Sequence, residues 1–407
     1  MIENSDSILD RYSSLLGDKK VRKLQDKAKI FENNEILHVN ATKFGGGVAE
    51  ILNNMIPLMR ELNLDAEWKI FTAPDSFFEI SKKMHNALQG NMEISFSGEE
   101  ISNYIEQAKF SYDQIKPSGD FIIIHDPQPC PIIKFEERRK GKWIWRCHID
   151  TANPNPQAWS LISDYLPLYD ALVFTKKEYV QQGIDNLVFP ITPSIDPFSE
   201  KNKELSGEQA EEIVKKFVPL DKPLITQVSR FDPWKDPLGV IDTYRIIKDS
   251  YPVRLILIGS LADDDPEGVD WLNKVKNYAT GDTDIHIFTN LDGVADLEVN
   301  AFQRVSDIVL QKSIKEGFGM TVTEALWKKT PVIAGNVGGI KLQIENGING
   351  YLVNSTEEAA ERALFLLKNP KISREMGKKG QIKVEKEFLL TKHVENYLDL
   401  FTLLSKK

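Results

Sequence analysis

Two glutamates, Glu316 and Glu324, stand eight positions apart in the segment SIKEGFGMTVTEALW. Gly317 and Gly319 make the first part of this segment a loop, and a helix is expected to start near Met320. That puts Glu316 in the loop ahead of the helix and Glu324 in the helix's first turn. The amides around Phe318, Gly319, Met320 and Thr321 would then face an anion, because the first turn of a helix has no internal acceptors for them. Carboxylates accept strongly from vicinal sugar hydroxyls. An acid attracted to the helix dipole accounts for Glu324 but not for Glu316, which precedes a glycine turn.

A second group of polar residues lies upstream. The run VSRFDPWKDP closes an expected strand and carries Arg230 and Lys235. Two cations at the C-terminal edge of a parallel strand can grip a diphosphate, the arginine bidentately and the lysine as a point charge. The plainer reading is surface cations paired with Asp232 and Asp236. In HVNATKFGGGVAEIL, Gly45, Gly46 and Gly47 separate a strand from a helix, where close-approaching amides suit a phosphate or a sugar. A tight strand-to-helix turn would also need glycine. The pattern is neither the dinucleotide G-x-G-x-x-G nor a Walker loop. Two further segments, IIIHDPQP and WIWRCHID, place His125, Asp126, Gln128, Arg146, His148 and Asp150 at strand C-termini, on the ligand side of such a sheet. The remaining histidines, His38, His85, His286 and His393, have no metal-ligand spacing, and no metal site is expected. The run Asp263–Asp265 before Pro266 reads as a solvated turn.

Strands and helices must alternate to position these loops, and the sequence shows that alternation. Ten short β-rich runs are expected at 36–39, 68–71, 121–124, 143–147, 171–174, 224–228, 254–258, 284–288, 308–310 and 331–334. Several are almost wholly apolar, as in parallel strands covered on both faces. Helical patterns lie between them, among them 48–62, 206–217, 237–249 and 321–328. The fold class is therefore α/β. The stretch FPITPSIDPFS, 189–199, holds three prolines and reads as an extended linker. One doubly wound domain is placed at 1–190 and a second at 200–384. A long helical run, 373–404, is expected at the end, and its last part, from about 385 to 407, is expected to pack back on the first domain. Ile8, Leu9, Tyr12, Leu15 and Leu16 mark an amphipathic helix near the start.

The 407 residues carry 41% hydrophobic and 27% charged side chains, which excludes wholesale disorder. A formal net charge of −9 disfavours general binding to nucleic acid or anionic membrane, so neither is expected as a partner. Two cysteines cannot build a disulfide framework and suit a reducing compartment. No signal-peptide pattern or spanning run is present, and the cytoplasm is the expected location.

Taken together, these residues resemble the retaining glycosyltransferases of the GT-B fold. The segment from Glu316 to Glu324 is similar to that family's Glu-x7-Glu motif. Arg230 and Lys235 fall at its diphosphate pair, and the glycine loop falls at its N-terminal loop. KFGGGVAEIL, HDPQP, WIWRCHID, SRFDPWKDPLGVIDTYR, QKSIKEGFGMTVTEALW and GNVGGI narrow the resemblance to the trehalose glycosyltransferring synthases, with trehalose phosphorylases as near neighbours. Lys341 after GNVGGI, where many relatives carry proline, and Thr330 depart from the pattern.

The resemblance implies two Rossmann-like domains facing across a cleft. It implies transfer of glucose from a nucleoside diphosphate glucose, UDP- or ADP-linked, to free glucose, giving α,α-trehalose reversibly. Arg230 and Lys235 would hold the diphosphate. Glu316, with amides near Phe318–Met320, would hold the donor hexose, and Glu324 the ribose. His148 would lie near the donor's O6. Asp126 and Gln128 would contact the acceptor glucose, and Gly46 and Gly47 would line the phosphate end. Thr289 and Asn290 would border the base. No resident cofactor is implied; magnesium could accompany the nucleotide without a dedicated site. A homodimer is left open, as are phosphorolysis and another small acceptor.

Overall fold

The computed structural model describes residues 7–43, 46–261 and 266–406. The chain divides into two compact units, 1–193 with 390–407, and 194–389.

The first unit is built on six parallel strands: β1 Glu35–Asn40, β2 Asp65–Ile70, β3 Phe121–His125, β4 Lys142–Cys147, β5 Ala171–Phe174 and β6 Leu187–Pro190. Their order across the sheet is β2-β1-β3-β4-β5-β6. Side chains alternate strictly between the two faces, as period two demands. Leu37, Val39, Ile122, Ile124, Trp143, Trp145, Cys147 and Phe174 enter one apolar core. The opposite face carries Phe121, which stacks at 4.0 Å on Phe401 of the C-terminal helix Leu390–Ser405. The first helix, Ile8–Leu16, is pinned by Glu61, whose carboxylate accepts from the amides of Ile8 and Leu9 at 2.9 Å each.

The second unit holds β7 Leu224–Val228, β8 Arg254–Gly259, β9 Ile285–Thr289, β10 Ile308–Gln311, β11 Val332–Gly335 and β12 Tyr351–Val353, again all parallel. The order is β12-β11-β10-β7-β8-β9. Alternation is again clean: Leu255 and Leu257 of β8 enter one core, Ile256 and Ile258 the other.

Three elements differ from the sequence reading. β6 and β12 were not expected as strands. Both are edge strands, where short length and Pro190 are tolerated because one side of the ladder is unpaired. The run 373–404 is two helices, Pro370–Glu387 and Leu390–Ser405. At the break the Phe388 carbonyl accepts from the Ile195 amide at 2.9 Å, and Leu389 bridges Ile195. The helix gives up its backbone there to pair with the proline-rich strap, a long-range choice that periodicity does not reveal. Among the described residues no helix is long and apolar enough to cross a membrane.

Candidate active site

Each sheet has a topological switch point, where chain progress reverses direction and loops from adjacent strands diverge to open a crevice. In the second unit it falls between β7 and β10. The loop after β7 carries Arg230 and Lys235, and the loop after β10 carries Glu316, Phe318 and Gly319. The topology therefore brings together two segments some eighty residues apart.

Lys235 Nζ lies 2.5 Å from Glu316 Oε2, with both side chains largely buried. Ser313 Oγ donates to the same carboxylate oxygen at 3.4 Å. The lysine's backbone is fixed as well: Asp232 Oδ1 accepts from its amide at 3.1 Å, and its carbonyl accepts from Gln227 Nε2 at 2.8 Å. The Ile314 amide donates to the Trp234 carbonyl at 2.9 Å, tying the two loops together. Arg230 is 62% exposed and sits 3.3 Å from Asp232 Oδ2, an ion pair without hydrogen-bond alignment. So the plainer surface-pair reading holds for Arg230 with Asp232. It does not hold for Lys235, whose partner is Glu316; Asp236 pairs with Lys312 instead.

Gly319 caps the helix Met320–Trp327 at φ 84°. A Cβ there would lie 3.1 Å from Glu316 Cγ in a backbone conformation L-residues rarely adopt. Gly339 of GNVGGI packs on the same loop so closely that a Cβ would meet the Gly317 carbonyl at 2.4 Å. Gln343 completes the clamp, donating to the Phe318 carbonyl at 2.6 Å and accepting from Thr323 Oγ1 at 2.6 Å. The first-turn amides of Met320 and Thr321 thus start from a braced loop. Phe318 itself is buried against Phe388 and is not a free contact surface.

Glu324 lies one turn deeper than the sequence reading placed it, the fifth residue of its helix. It is only 2% exposed, Lys201 Nζ stands 3.9 Å from Oε1, and Oε2 is buried with no partner. A buried carboxylate oxygen without a donor fits a ligand hydroxyl. Thr289 and Asn290, at the end of β9, are spent locally: Thr289 Oγ1 donates to Asp292, and Asn290 Oδ1 accepts from the Leu261 amide.

In the first unit the switch point lies between β1 and β3. Gly46 (φ 81°) caps the helix Gly47–Glu61 after β1; Gly45 and the Asp263–Asp265 run lie outside the described residues. Asp126 and Gln128 follow β3, and His148 follows β4. Asp126 adopts φ 65°, its carboxylate accepts from the His148 amide at 2.8 Å, and its own amide donates to the Arg146 carbonyl at 2.7 Å. Burial pushes the Asp126 carboxyl up to about 7. Gln128 Oε1 is buried without a partner. These residues stand on adjacent strand ends, as a ligand site of this topology requires.

Arg146 and His125 stand at the C-terminal ends of their strands, where the sequence reading has them, but their side chains are buried. Both point into the face covered by the C-terminal helix. Arg146 is fully buried, and none of its three guanidinium nitrogens has a partner. His125 bonds His38 and His148, with Nε2 2.9 Å from His38 Nδ1 and Nδ1 3.0 Å from His148 Nε2. This chain of rings was missed, although period two would have put residues 38, 123, 125, 146 and 148 on one face. Also missed were Ser313, which opens the segment of Glu316 but was given no role, and Gln343 and Lys201, which lie in no motif. Among the described residues no cluster of three or more His, Cys, Asp or Glu side chains has metal-site geometry.

Residues 38–181 match the family described as "Trehalose synthase, N-terminal domain", and residues 208–383 match "Glycosyl transferases group 1". A trehalose synthase of Thermococcus litoralis is 46% identical over 396 residues, covering 96% of each chain. A trehalose phosphorylase of Grifola frondosa is 28% identical over 406 residues, covering 86% of this chain and 54% of its own. Among solved structures, an α,α-trehalose-phosphate synthase (UDP-forming) from Burkholderia xenovorans superposes with a TM-score of 0.72 at 12% identity. It covers 90% of this chain and all of its own, a likeness of fold alone.

Proposed function

The chain belongs to the trehalose synthase family of GT-B glycosyltransferases, and on that premise we propose that it moves glucose from a nucleoside diphosphate glucose to free glucose. The product is α,α-trehalose, formed reversibly with retention at the anomeric carbon. The observation that carries this reading is the Lys235–Glu316 pair at the β7/β10 switch point, with a glycine-opened helix start beside it. It supplies a cation for a leaving phosphate and a carboxylate for hexose hydroxyls within one braced loop pair.

In this reading Arg230 and Lys235 hold the diphosphate, and the amides of Gly319 to Thr321 reinforce them. Glu316, oriented by Lys235, accepts from hydroxyls of the donor hexose. Glu324 Oε2 accepts from a ribose hydroxyl, which satisfies its orphaned lone pairs. Asp126 and Gln128 take the acceptor glucose, and His148 faces the donor's O6. Gly46 and Gly47 line the phosphate end. Magnesium, where present, travels with the nucleotide.

Retention by double displacement needs a carboxylate beneath the anomeric carbon. Glu316 and Glu324 are committed to hydroxyls, so a same-face substitution is the consistent route. The bond from anomeric carbon to phosphate oxygen breaks, the acceptor oxygen bonds on the same face, and its proton passes to the departing phosphate. Lys235 and Arg230 stabilise the charge that develops there.

Phosphorolysis would use the same cations with inorganic phosphate, and a phosphorylase is among the relatives. The two readings separate in one assay. Trehalose is incubated with UDP, ADP or phosphate. Cleavage driven by a nucleoside diphosphate and not by phosphate is the expected result; cleavage by phosphate alone would replace this function with the phosphorylase.

A further inference from the structure

We infer that His38 and His125 are positioning residues whose hydrogen-bonded rings lock His148 as a hydrogen-bond donor at Nδ1. The geometry is a linear chain of three imidazoles. His38 Nδ1 meets His125 Nε2 at 2.9 Å, and His125 Nδ1 meets His148 Nε2 at 3.0 Å. Neighbouring ring centroids lie 5.2 and 5.3 Å apart.

A neutral imidazole has one N–H and one lone pair. Burial keeps these rings neutral, with His38 held down to about 3 and the other two also far below the usual histidine value. Two bonds in series then allow only two arrangements. In the outward one, His38 Nδ1–H donates to His125, His125 Nδ1–H donates to His148, and His148 carries its hydrogen on Nδ1. In the inward one every hydrogen moves to Nε2, and His148 Nδ1 becomes an acceptor.

The inner end decides between them. His38 Nε2 is buried with no partner, and an inward chain would leave an orphaned N–H there, the rarer and costlier kind of buried polar group. Tyr397 stands edge-on to His38 at 5.8 Å with its own hydroxyl buried and unpartnered. Only the outward chain leaves a lone pair, and no N–H, at His38 Nε2. His393, on the same helix as Tyr397, adopts the same form: its Nδ1 lies 2.8 Å from the Thr192 carbonyl, so that nitrogen carries the hydrogen.

The chain ends blind at His38, so it fixes a tautomer and carries no net proton. Resting on the reading that His148 faces the donor hexose, the lock makes it a donor to a sugar hydroxyl oxygen and removes it as a base. Losing one neutral hydrogen bond of this kind corresponds to about a fivefold loss in rate.

The test uses the full-length enzyme with 15N-labelled histidine, observed by NMR without substrate. His148 and His125 are expected with hydrogen on Nδ1 and a bare Nε2; hydrogen on Nε2 of His148 would overturn the lock. In His38→Asn the side-chain amide still donates from the position of Nδ1, and His148 should keep its tautomer. In His38→Asp, whose carboxylate can only accept at that position, His125 must carry its hydrogen on Nε2, and His148 should shift toward hydrogen on Nε2. A purely structural role for His38 would leave the His148 tautomer unchanged in both variants, and that result would also overturn the proposal. Turnover separates it from the functional reading. His38→Asp should lose about fivefold with the glucose donor and far less with its 6-deoxy analogue. Absence of transfer from every nucleoside diphosphate glucose by the wild type would sink that reading, leaving the tautomer result to stand or fall by the spectra.

Discussion

Lys235 and Glu316 are paired with each other, and this pairing matters for what either can do. A lysine held largely buried by one carboxylate oxygen is aimed before the substrate arrives, so little reorganisation remains to be made during reaction. Lys235→Ala should lower turnover on the order of 10²–10³-fold, the scale of removing one oxyanion stabiliser. Unchanged turnover would show that the lysine has no such role. Glu324→Gln tests a different contact. The variant keeps the shape but presents a weaker acceptor, and KM for the donor should rise roughly tenfold while kcat changes little. A change confined to kcat would contradict ribose binding. The residue types and spacings of both glutamates were readable in the sequence. Their partners were not: Lys235 and Lys201 reach them only through the tertiary fold, and the local contact from Ser313 depends on the shape of the loop.

At the scale of elements, two glycine positions, Gly319 and Gly339, decide whether the site loops can form. Gly319→Ala forces a side chain into φ 84° beside Glu316 Cγ. The left-handed conformation alone costs roughly 1–2 kcal/mol. Thermal unfolding should therefore begin several degrees lower, with turnover reduced as Glu316 is displaced. An unshifted melting curve with full activity would show that the loop does not need this conformation. The C-terminal helix makes a different contribution, since it buries His393 and covers His38, His125 and Arg146. In the fold His38 and His393 protonate only near pH 3, whereas in the unfolded chain they do so near 6.5. Below 6.5 the unfolded state binds more protons, so stability falls as pH falls. His125 and His148 act in the same direction. Asp126 opposes them: its carboxyl is held up near 7, so between 7 and 3.8 the fold retains a proton that the unfolded chain loses. Each histidine is worth about 1.4 kcal/mol per pH unit, and four outweigh one carboxyl. The urea midpoint should be clearly lower at pH 5 than at pH 7, and His393→Asn should narrow the gap. Equal midpoints at the two pH values would contradict the buried neutral histidines.

For the whole molecule, strand–helix alternation and the proline-rich strap made the α/β class readable before any coordinates. The edge strands β6 and β12 escaped because three- and four-residue edges carry little pattern. The break at Phe388 escaped because its cause, pairing with Ile195, lies nearly two hundred residues away in sequence. The burial of Arg146 and the histidines escaped the sequence reading because a strand of period two sends neighbouring residues to opposite faces, and a motif read as a string ignores that. The molecule places its expected diphosphate cations on one unit and its expected acceptor groups on the other, each at a switch point. A nucleoside diphosphate alone should therefore slow amide exchange in 229–236 and 313–321 and leave 126–128 largely unchanged. Protection spread equally over both sets would contradict this division of labour. The most direct measurement supplies the enzyme with glucose and a panel of nucleoside diphosphate glucoses and reads the anomeric protons of the disaccharide formed. A single α,α-linked signal set, dependent on the nucleotide sugar, is the predicted result. A β-linked product, or none with any donor, would contradict the account.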